Sequence, residues 1–339
     1  MKSLKKILFI SPQPIFGGAA TANMAIAKML SGNGYSVKYN DEYASFSTYS
    51  GLVIDKTPIH NTKSRNKHLL KMIEDGQYDT IIWGDVSILL YYLPTLRKLY
   101  YKGVTQIGIF HSLCLERNVK SYIIEHCIAF AIRYFQKYVF VSEFTLQSWC
   151  KYKSIRKESR KLTVIHNPME DPGNYNCRNF NPSTVNIGYV GRFSEEKQPE
   201  VFCALSKVSK YNFIAFGDGP LLPSMREIYP NVNFRGECKN TNEIYSNFDI
   251  LVMTSKFENC PMVILEAKVR GIPCIAPHVG GIPEILENEV DGILYDNPSS
   301  IPDAIDTIVG NYYNFSENCK KRSKLTLPSS LIDKWTCIL

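Results

Sequence analysis

Residues 250–266 read ILVMTSKFENCPMVILE. Ile250–Met253 is apolar and suits a buried strand. Thr254–Pro261 is a polar turn, and Met262 opens an apolar helix. Pro261 suits the first helical turn, and the amides of Met262 and Val263 then lack intrahelical acceptors. Such a helix start attracts anions. Two carboxylates accompany it. Glu258 precedes the helix, and Glu266 lies little more than a turn inside it. A carboxylate beside a bound phosphate is repelled unless it meets hydroxyls, so the pattern suits a polyhydroxylated ligand carrying a diphosphate. The plain alternative is a structural acid at Glu266 and a helix-start acid at Glu258.

The same strand–turn–helix pattern recurs on either side of this stretch. Strands are expected at Asn186–Tyr189, Asn212–Phe216, Val232–Phe234, Pro273–Ala276 and Gly292–Leu294. Helices are expected at Pro199–Ser209, Leu221–Tyr229, Met262–Arg270 and Ile301–Asn311. Upstream, Lys6–Ile10, Ser36–Tyr39, Thr80–Trp83, Gln106–Phe110, Tyr138–Val141 and Leu162–Ile165 read as strands. Ala19–Leu30, Lys67–Ile73 and Glu143–Cys150 read as helices between them. Strands alternating with helices imply parallel βαβ units. The alternation stops at Asn167–Thr184, which carries three prolines and five asparagines and reads as a linker. The 339 residues thus divide into two α/β Rossmann-like domains. Ligands of such domains sit at the carboxyl ends of the strands.

Composition narrows the function classes. Apolar residues make up 45% of the chain, which excludes wholesale disorder. No apolar run reaches the roughly 18 residues of a membrane span. The apolar run Ile7–Ile10 is too short for a signal peptide and reads as a first strand, so a cytosolic protein is expected. The ten cysteines include no C-x-x-C pair, which argues for free thiols rather than a zinc or redox site. Charge is uneven: residues 1–170 carry 23 Lys/Arg and 12 Asp/Glu, whereas residues 171–339 carry 16 and 20. Lys151–Lys161 concentrates six cations. The basic half suits an anionic partner such as a phospholipid surface or a lipid-phosphate acceptor, or else it is a solvated surface. Nucleic acid is disfavoured, since no recognition motif accompanies the charge. Asn118–Lys137 mixes Lys120, Arg133 and Lys137 with Ile123, Ile124, Ile128 and Phe130. It reads either as an interfacial helix or as one packed inside its domain.

Other strand ends carry candidate residues. Gly191 follows strand Asn186–Tyr189, and Arg192 and Lys197 add two cations suited to a diphosphate, or else belong to a plain surface loop. Gly217-Asp218-Gly219-Pro220 and Gly280-Gly281-Ile282-Pro283-Glu284 are turns, or places where a ligand approaches the backbone. Gly17 and Gly18 follow the first strand without G-x-G-x-x-G or P-loop spacing, so a dinucleotide fingerprint is not met. His111 ends strand Gln106–Phe110, where side chains face a ligand crevice, although a lone histidine there also reads as structural.

In this order and on these strand ends, the motifs resemble the retaining glycosyltransferases of family 4. The resemblance spans nearly the whole chain. It implies the GT-B fold: two facing Rossmann-like domains with a cleft between them. An acceptor-side domain would span 1–170, a linker 171–184 and a nucleotide-sugar domain 185–325. A C-terminal segment, 326–339, would cross back to the first domain. It also implies roles. Arg192 and Lys197 would hold the donor diphosphate, Glu258 the donor sugar and Glu266 the ribose hydroxyls. His111 would contact the sugar near the reacting carbon. Gly17 and Gly18 would approach the phosphates and acceptor, and Gly191 and Gly217 belong to the same donor surface. Asn259, Cys260, Pro261, Met262 and Val263 would line the sugar and phosphate pocket. No cofactor or metal is implied, in keeping with the absence of an Asp-x-Asp sequence. The expected activity is transfer of a sugar from a UDP- or GDP-sugar to a glycan or lipid-linked acceptor with retained configuration. The expected setting is bacterial surface polysaccharide synthesis, in the cytoplasm or peripherally on the inner membrane face. The chain departs from the family at Gln198, where Gly is frequent, at Asn259-Cys260, where Gly-Phe is common, and at Pro168. A nucleotide-sugar epimerase of the same fold would act without an acceptor, an oxidoreductase would need NAD, and a scaffold would not need the four charged residues.

Overall fold

The computed structural model describes residues 5–11, 17–41, 52–55, 62–86, 89–114, 119–153, 159–173, 175 and 178–339. They form two compact units, one of Met1–Pro168 with Pro328–Leu339, the other of Met169–Leu327.

The first unit runs β1 (Lys6–Ser11), α1 (Gly18–Gly32), β2 (Ser36–Asp41), β3 (Val53–Asp55), α2 (Thr62–Gly76) and β4 (Thr80–Trp83). It continues α3 (Leu89–Tyr101), β5 (Thr105–Phe110), α4 (Val119–Ala131), β6 (Lys137–Phe140), α5 (Glu143–Lys153) and β7 (Leu162–Val164). All seven strands are parallel, in the order β3-β2-β1-β4-β5-β6-β7. A parallel sheet is covered on both faces, so its central strands are continuous apolar runs rather than alternating ones. Thr80–Trp83 is buried at every position. Two elements lie beyond the sequence-based expectations. β3 is three residues long, at the sheet edge, with Val53 65% exposed, so little burial marks it. α3 carries Pro94 inside it, a residue that ordinarily ends a helical pattern.

The second unit runs β8 (Asn186–Val190), α6 (Pro199–Leu205), β9 (Asn212–Phe216), α7 (Leu222–Ile228), β10 (Val232–Gly236), α8 (Thr241–Tyr245) and β11 (Ile250–Val252). There follow α9 (Met262–Val269), β12 (Cys274–Pro277), α10 (Ile282–Ile285), β13 (Gly292–Tyr295), α11 (Ile301–Gly310) and α12 (Tyr312–Ser323). Its six strands are also parallel, in the order β10-β9-β8-β11-β12-β13. Both sheets are doubly wound. Strand order reverses between β1 and β4 in one and between β8 and β11 in the other. That reversal opens a crevice at the carboxyl ends of the strands.

The segment read as a linker is fastened to the second unit. Arg178 lies 3.3 Å from the fully buried Asp249 carboxylate and donates to the Thr184 carbonyl at 2.6 Å. Phe180 stacks on Tyr312 with ring centroids 3.8 Å apart. Where the chain enters and leaves this unit, the Met169 amide donates to the Thr326 carbonyl at 2.9 Å. Beyond Thr326, α13 (Pro328–Thr336) packs on α1 of the first unit with Trp335 buried.

Candidate active site

In the second unit, the loops after β8 and β11 flank the strand-order reversal, and both carry the expected residues. Lys197 Nζ meets Glu258 Oε1 at 2.5 Å, with side chains 30% and 14% exposed. The backbone joins the loops as well, since Lys256 N donates to Glu196 O at 2.9 Å. The Thr254 hydroxyl lies 2.8 Å from Lys197 O and 2.9 Å from Gln198 O. Gln198 has a φ of +45°, a left-handed conformation that favours glycine. This accounts for the frequent Gly there in the family that the sequence resembles. Arg192 is exposed; its carbonyl accepts from the Tyr189 hydroxyl at 3.1 Å, and its guanidinium forms no hydrogen bond or ion pair among the described residues.

Two glycines prove to serve the protein's own backbone. A Cβ at Gly217, whose φ is +130°, would lie 2.0 Å from Gly191 O. One at Gly280, with φ +62°, would lie 1.9 Å from Glu258 O. Gly281 N donates to that same Glu258 oxygen at 2.9 Å. These turns press on the loops that carry Gly191 and Glu258, which fixes the loops relative to each other.

Helix α9 begins one residue after Pro261. The proline therefore stands at the N-cap rather than in the first turn, with φ −68° and ψ 119°. The pyrrolidine has no N–H for the turn to satisfy, which suits either place. Cys260, Pro261 and Met262 are buried, while Asn259 and Val263 are partly exposed. Glu266 is 8% exposed on this helix. The Tyr245 hydroxyl lies 2.7 Å from its Oε2, and Arg270 donates to its backbone carbonyl at 2.8 Å. Burial raises the Glu266 pKa above the ordinary carboxylate value, while the Tyr245 hydroxyl and the Arg270 charge oppose that shift.

In the first unit, His111 Nε2 lies 2.9 Å from Asn23 Oδ1. The Asn23 amide donates to Ser11 Oγ at 3.1 Å and to Gly84 O at 2.9 Å. With both amide protons engaged, Oδ1 is the acceptor, so Nε2 carries the imidazole proton. Burial pulls the His111 pKa down to about 4, against an opposing pull from Asp85. The ring is neutral at physiological pH. Gly17 is the N-cap of α1 and Gly18 its first residue.

Sequence reading missed Asn23, Thr254 and Tyr245. Asn23 carried the one usable signal, as a lone amide among the alanines and methionines of α1. Thr254 and Tyr245 look like ordinary strand-end and core residues until the fold brings them beside the carboxylates and loop carbonyls.

Among the described residues, no group of three His, Cys, Asp or Glu could hold a metal ion. Nor is any described helix long and apolar enough to cross a membrane. Of the Lys151–Lys161 cluster, Lys161 donates to Phe135 O at 3.0 Å, and residues 154–158 lie outside the described set.

Two doubly wound parallel sheets, each with its loops at the point of strand reversal, are those of the GT-B fold. A solved structure with the same fold is Anabaena Alr3699/HepE in complex with UDP and glucose. Its TM-score is 0.79 at 16% identity, covering 98% of both chains. Residues 184–311 match the family described as Glycosyl transferases group 1. Among curated relatives, a GDP-mannose-dependent alpha-mannosyltransferase of Corynebacterium glutamicum is 32% identical over 112 residues, 32% of this chain and 27% of that protein. The O-antigen biosynthesis glycosyltransferase WbnH of Escherichia coli is 29% identical over 189 residues, 52% of this chain and 54% of WbnH. The chain therefore spans between about a quarter and about half the length of these two relatives.

Proposed function

We propose that this protein transfers a sugar from a UDP- or GDP-sugar to a hydroxyl of a glycan or lipid-linked acceptor. The carrying observation is the Lys197–Glu258 pair beside the start of α9. It sets a cation for the diphosphate next to an acceptor of sugar hydroxyls. Transfer breaks the bond between the anomeric carbon and the diphosphate oxygen and forms one to the acceptor oxygen. Negative charge grows on the departing diphosphate. Arg192, Lys197 and the amides of Met262 and Val263 stabilise it there, doing without a metal. Glu258 accepts from donor-sugar hydroxyls and Glu266 from the ribose. Neutral His111 exchanges hydrogen bonds with the sugar without adding charge beside an anomeric carbon that becomes cation-like. The acceptor proton passes to the departing diphosphate. Retention of configuration follows from the family resemblance.

Relatives named for GDP-mannose and for O-antigen biosynthesis support a nucleotide-sugar donor and a role in bacterial surface polysaccharide synthesis. For location, the reading is cytoplasmic, with peripheral attachment to anionic lipid through the basic half. Ile123, His126, Cys127 and Phe130 form one exposed face of α4, whose other side buries Ile128 and Ala131. Arg133 lies 4.6 Å over the Phe130 ring. An apolar stripe beside a cation suits a headgroup boundary.

The test is a thermal-shift panel of UDP, GDP, ADP, their sugars and NAD on wild type and Glu266→Ala. Stabilisation by one nucleoside diphosphate, weakened by the substitution, is expected. Stabilisation by NAD alone, or by nothing, would overturn the reading. Turnover of a nucleotide sugar without an acceptor would point to an epimerase instead.

A further inference from the structure

We propose that Tyr245 is a positioning residue for donor recognition, holding one oxygen of Glu266 so that the other faces the ribose. The inference rests on the reading of Glu266 as the ribose-binding carboxylate.

Tyr245 ends α8 and is fully buried. Its hydroxyl lies 2.7 Å from Glu266 Oε2 and 3.1 Å from Val263 O. A phenol has one proton, and the shorter contact is to the charged acceptor, so the proton belongs to Glu266. The ring cannot swing away. It packs edge-on to Phe248 with centroids 5.4 Å apart, and the Arg270 guanidinium lies 5.0 Å from its centre. Arg270 is fixed in turn by Thr241 Oγ1 at 3.1 Å and Asn242 Oδ1 at 2.6 Å, both from α8. It also returns to α9 through Glu266 O. Helices α8 and α9 are thus cross-linked at the carboxylate.

The consequence is a division of labour between the two oxygens. Oε2 is engaged by Tyr245. Oε1 carries no hydrogen bond from the chain among the described residues, and it remains to accept from vicinal hydroxyls. Without the phenol the carboxylate can rotate, and its buried oxygen lacks a donor. The proton balance shifts as well. Burial favours protonated Glu266, and Tyr245 and Arg270 are the groups that oppose it. Cys274 and Tyr175 lie near Tyr245 and Arg270, respectively. A protonated carboxyl offers the ribose one acceptor fewer, so nucleotide affinity falls as pH drops through the Glu266 pKa. Removing the hydroxyl moves that fall to higher pH.

The experiment compares wild type, Tyr245→Phe and Glu266→Ala. The probes are UDP and GDP and their 2′-deoxy counterparts, with affinity measured by calorimetry across pH. For Tyr245→Phe we expect affinity for the ribonucleotide to fall about tenfold, the scale of one hydrogen bond to a charged group. Affinity for the deoxynucleotide should fall much less, so discrimination between the two shrinks. The acid limb of binding should move to higher pH. In turnover with the matching nucleotide sugar, donor KM should rise with little change in kcat. A purely structural loss would weaken both nucleotides equally and leave the pH limb in place, which overturns the proposal. Wild-type discrimination in Tyr245→Phe would overturn it too, with Glu266 as ribose ligand still standing. If wild type and Glu266→Ala both ignore the 2′-hydroxyl, it is the ribose reading that fails. Should Tyr245→Phe not fold, 3-fluorotyrosine at position 245 keeps the ring and makes the phenol a stronger donor. The acid limb should then move to lower pH, and an unmoved limb counts against the proposal.

Discussion

Gly280→Ala tests how the loop bearing Glu258 is held. The new Cβ would lie 1.9 Å from Glu258 O, whereas non-bonded heavy atoms settle at about 3.5 Å. One of the two backbones must retreat by roughly 1.5 Å. The left-handed φ of +62° adds about 1–2 kcal/mol for a residue with a side chain. The retreat also breaks the hydrogen bond from Gly281 N to the same carbonyl, worth about 1 kcal/mol. The total is about 2–3 kcal/mol, or a fall in Tm of roughly 4–12 °C for a unit of this size. Because Glu258 moves with its carbonyl, transfer should drop by about 100-fold, the usual effect of a 1 Å misplacement. The assay is thermal melting together with the transfer rate on the donor identified by the nucleotide panel. Gly310→Ala is the control. It ends α11, nothing stands within 4 Å of its Cβ, and its φ is ordinary. It should gain about 0.5–1 kcal/mol. A Gly280→Ala protein that melts within a degree of the parent and keeps its transfer rate would show that Gly280 does not hold the Glu258 loop.

Lys197→Met removes the cation that meets Glu258 at 2.5 Å. Transfer should fall by about 100- to 1,000-fold and nucleoside diphosphate affinity should fall with it. Unchanged calorimetric affinity would remove Lys197 from the diphosphate site. His111 titrates near 4 when folded and near 6.5 when unfolded, so the unfolded chain takes up the proton first. The first unit should therefore lose stability as pH falls from 6.5 towards 4, by at most about 1.4 kcal/mol per pH unit. Denaturant melts of His111→Gln should show a flatter slope in that window. Phe130→Asp, on the exposed face of α4, should abolish flotation with anionic vesicles. Flotation equal to the parent's would separate that face from any lipid binding.

Much of the architecture was legible because parallel strands buried on both faces leave unbroken apolar runs. Thr80–Trp83, Asn212–Phe216 and Ile250–Met253 stand out for that reason. Helix α3 was hidden by Pro94 and β3 by its brevity and exposure. The charged candidate residues stood out by chemical type at strand ends. Their supports did not. Tyr245 lies 21 positions from Glu266, and Asn23 lies 88 from His111, and only folding makes them neighbours. The glycines were legible as close approaches, but sequence did not reveal the partner. Gly217 and Gly280 press against the carbonyls of Gly191 and Glu258, and no sequence spacing encodes that pairing.

The hydrogen bond from Met169 to Thr326 has an evolutionary consequence. The segment between them leaves and rejoins the rest of the polypeptide at a single point, like a cassette held by one clasp. Proteins tolerate insertion and permutation where chain ends lie close together. A unit of this kind can be exchanged between paralogues by two crossovers, without refolding what flanks it. Under the proposed function, the sugars and acceptors used then diversify by recombination, one half at a time.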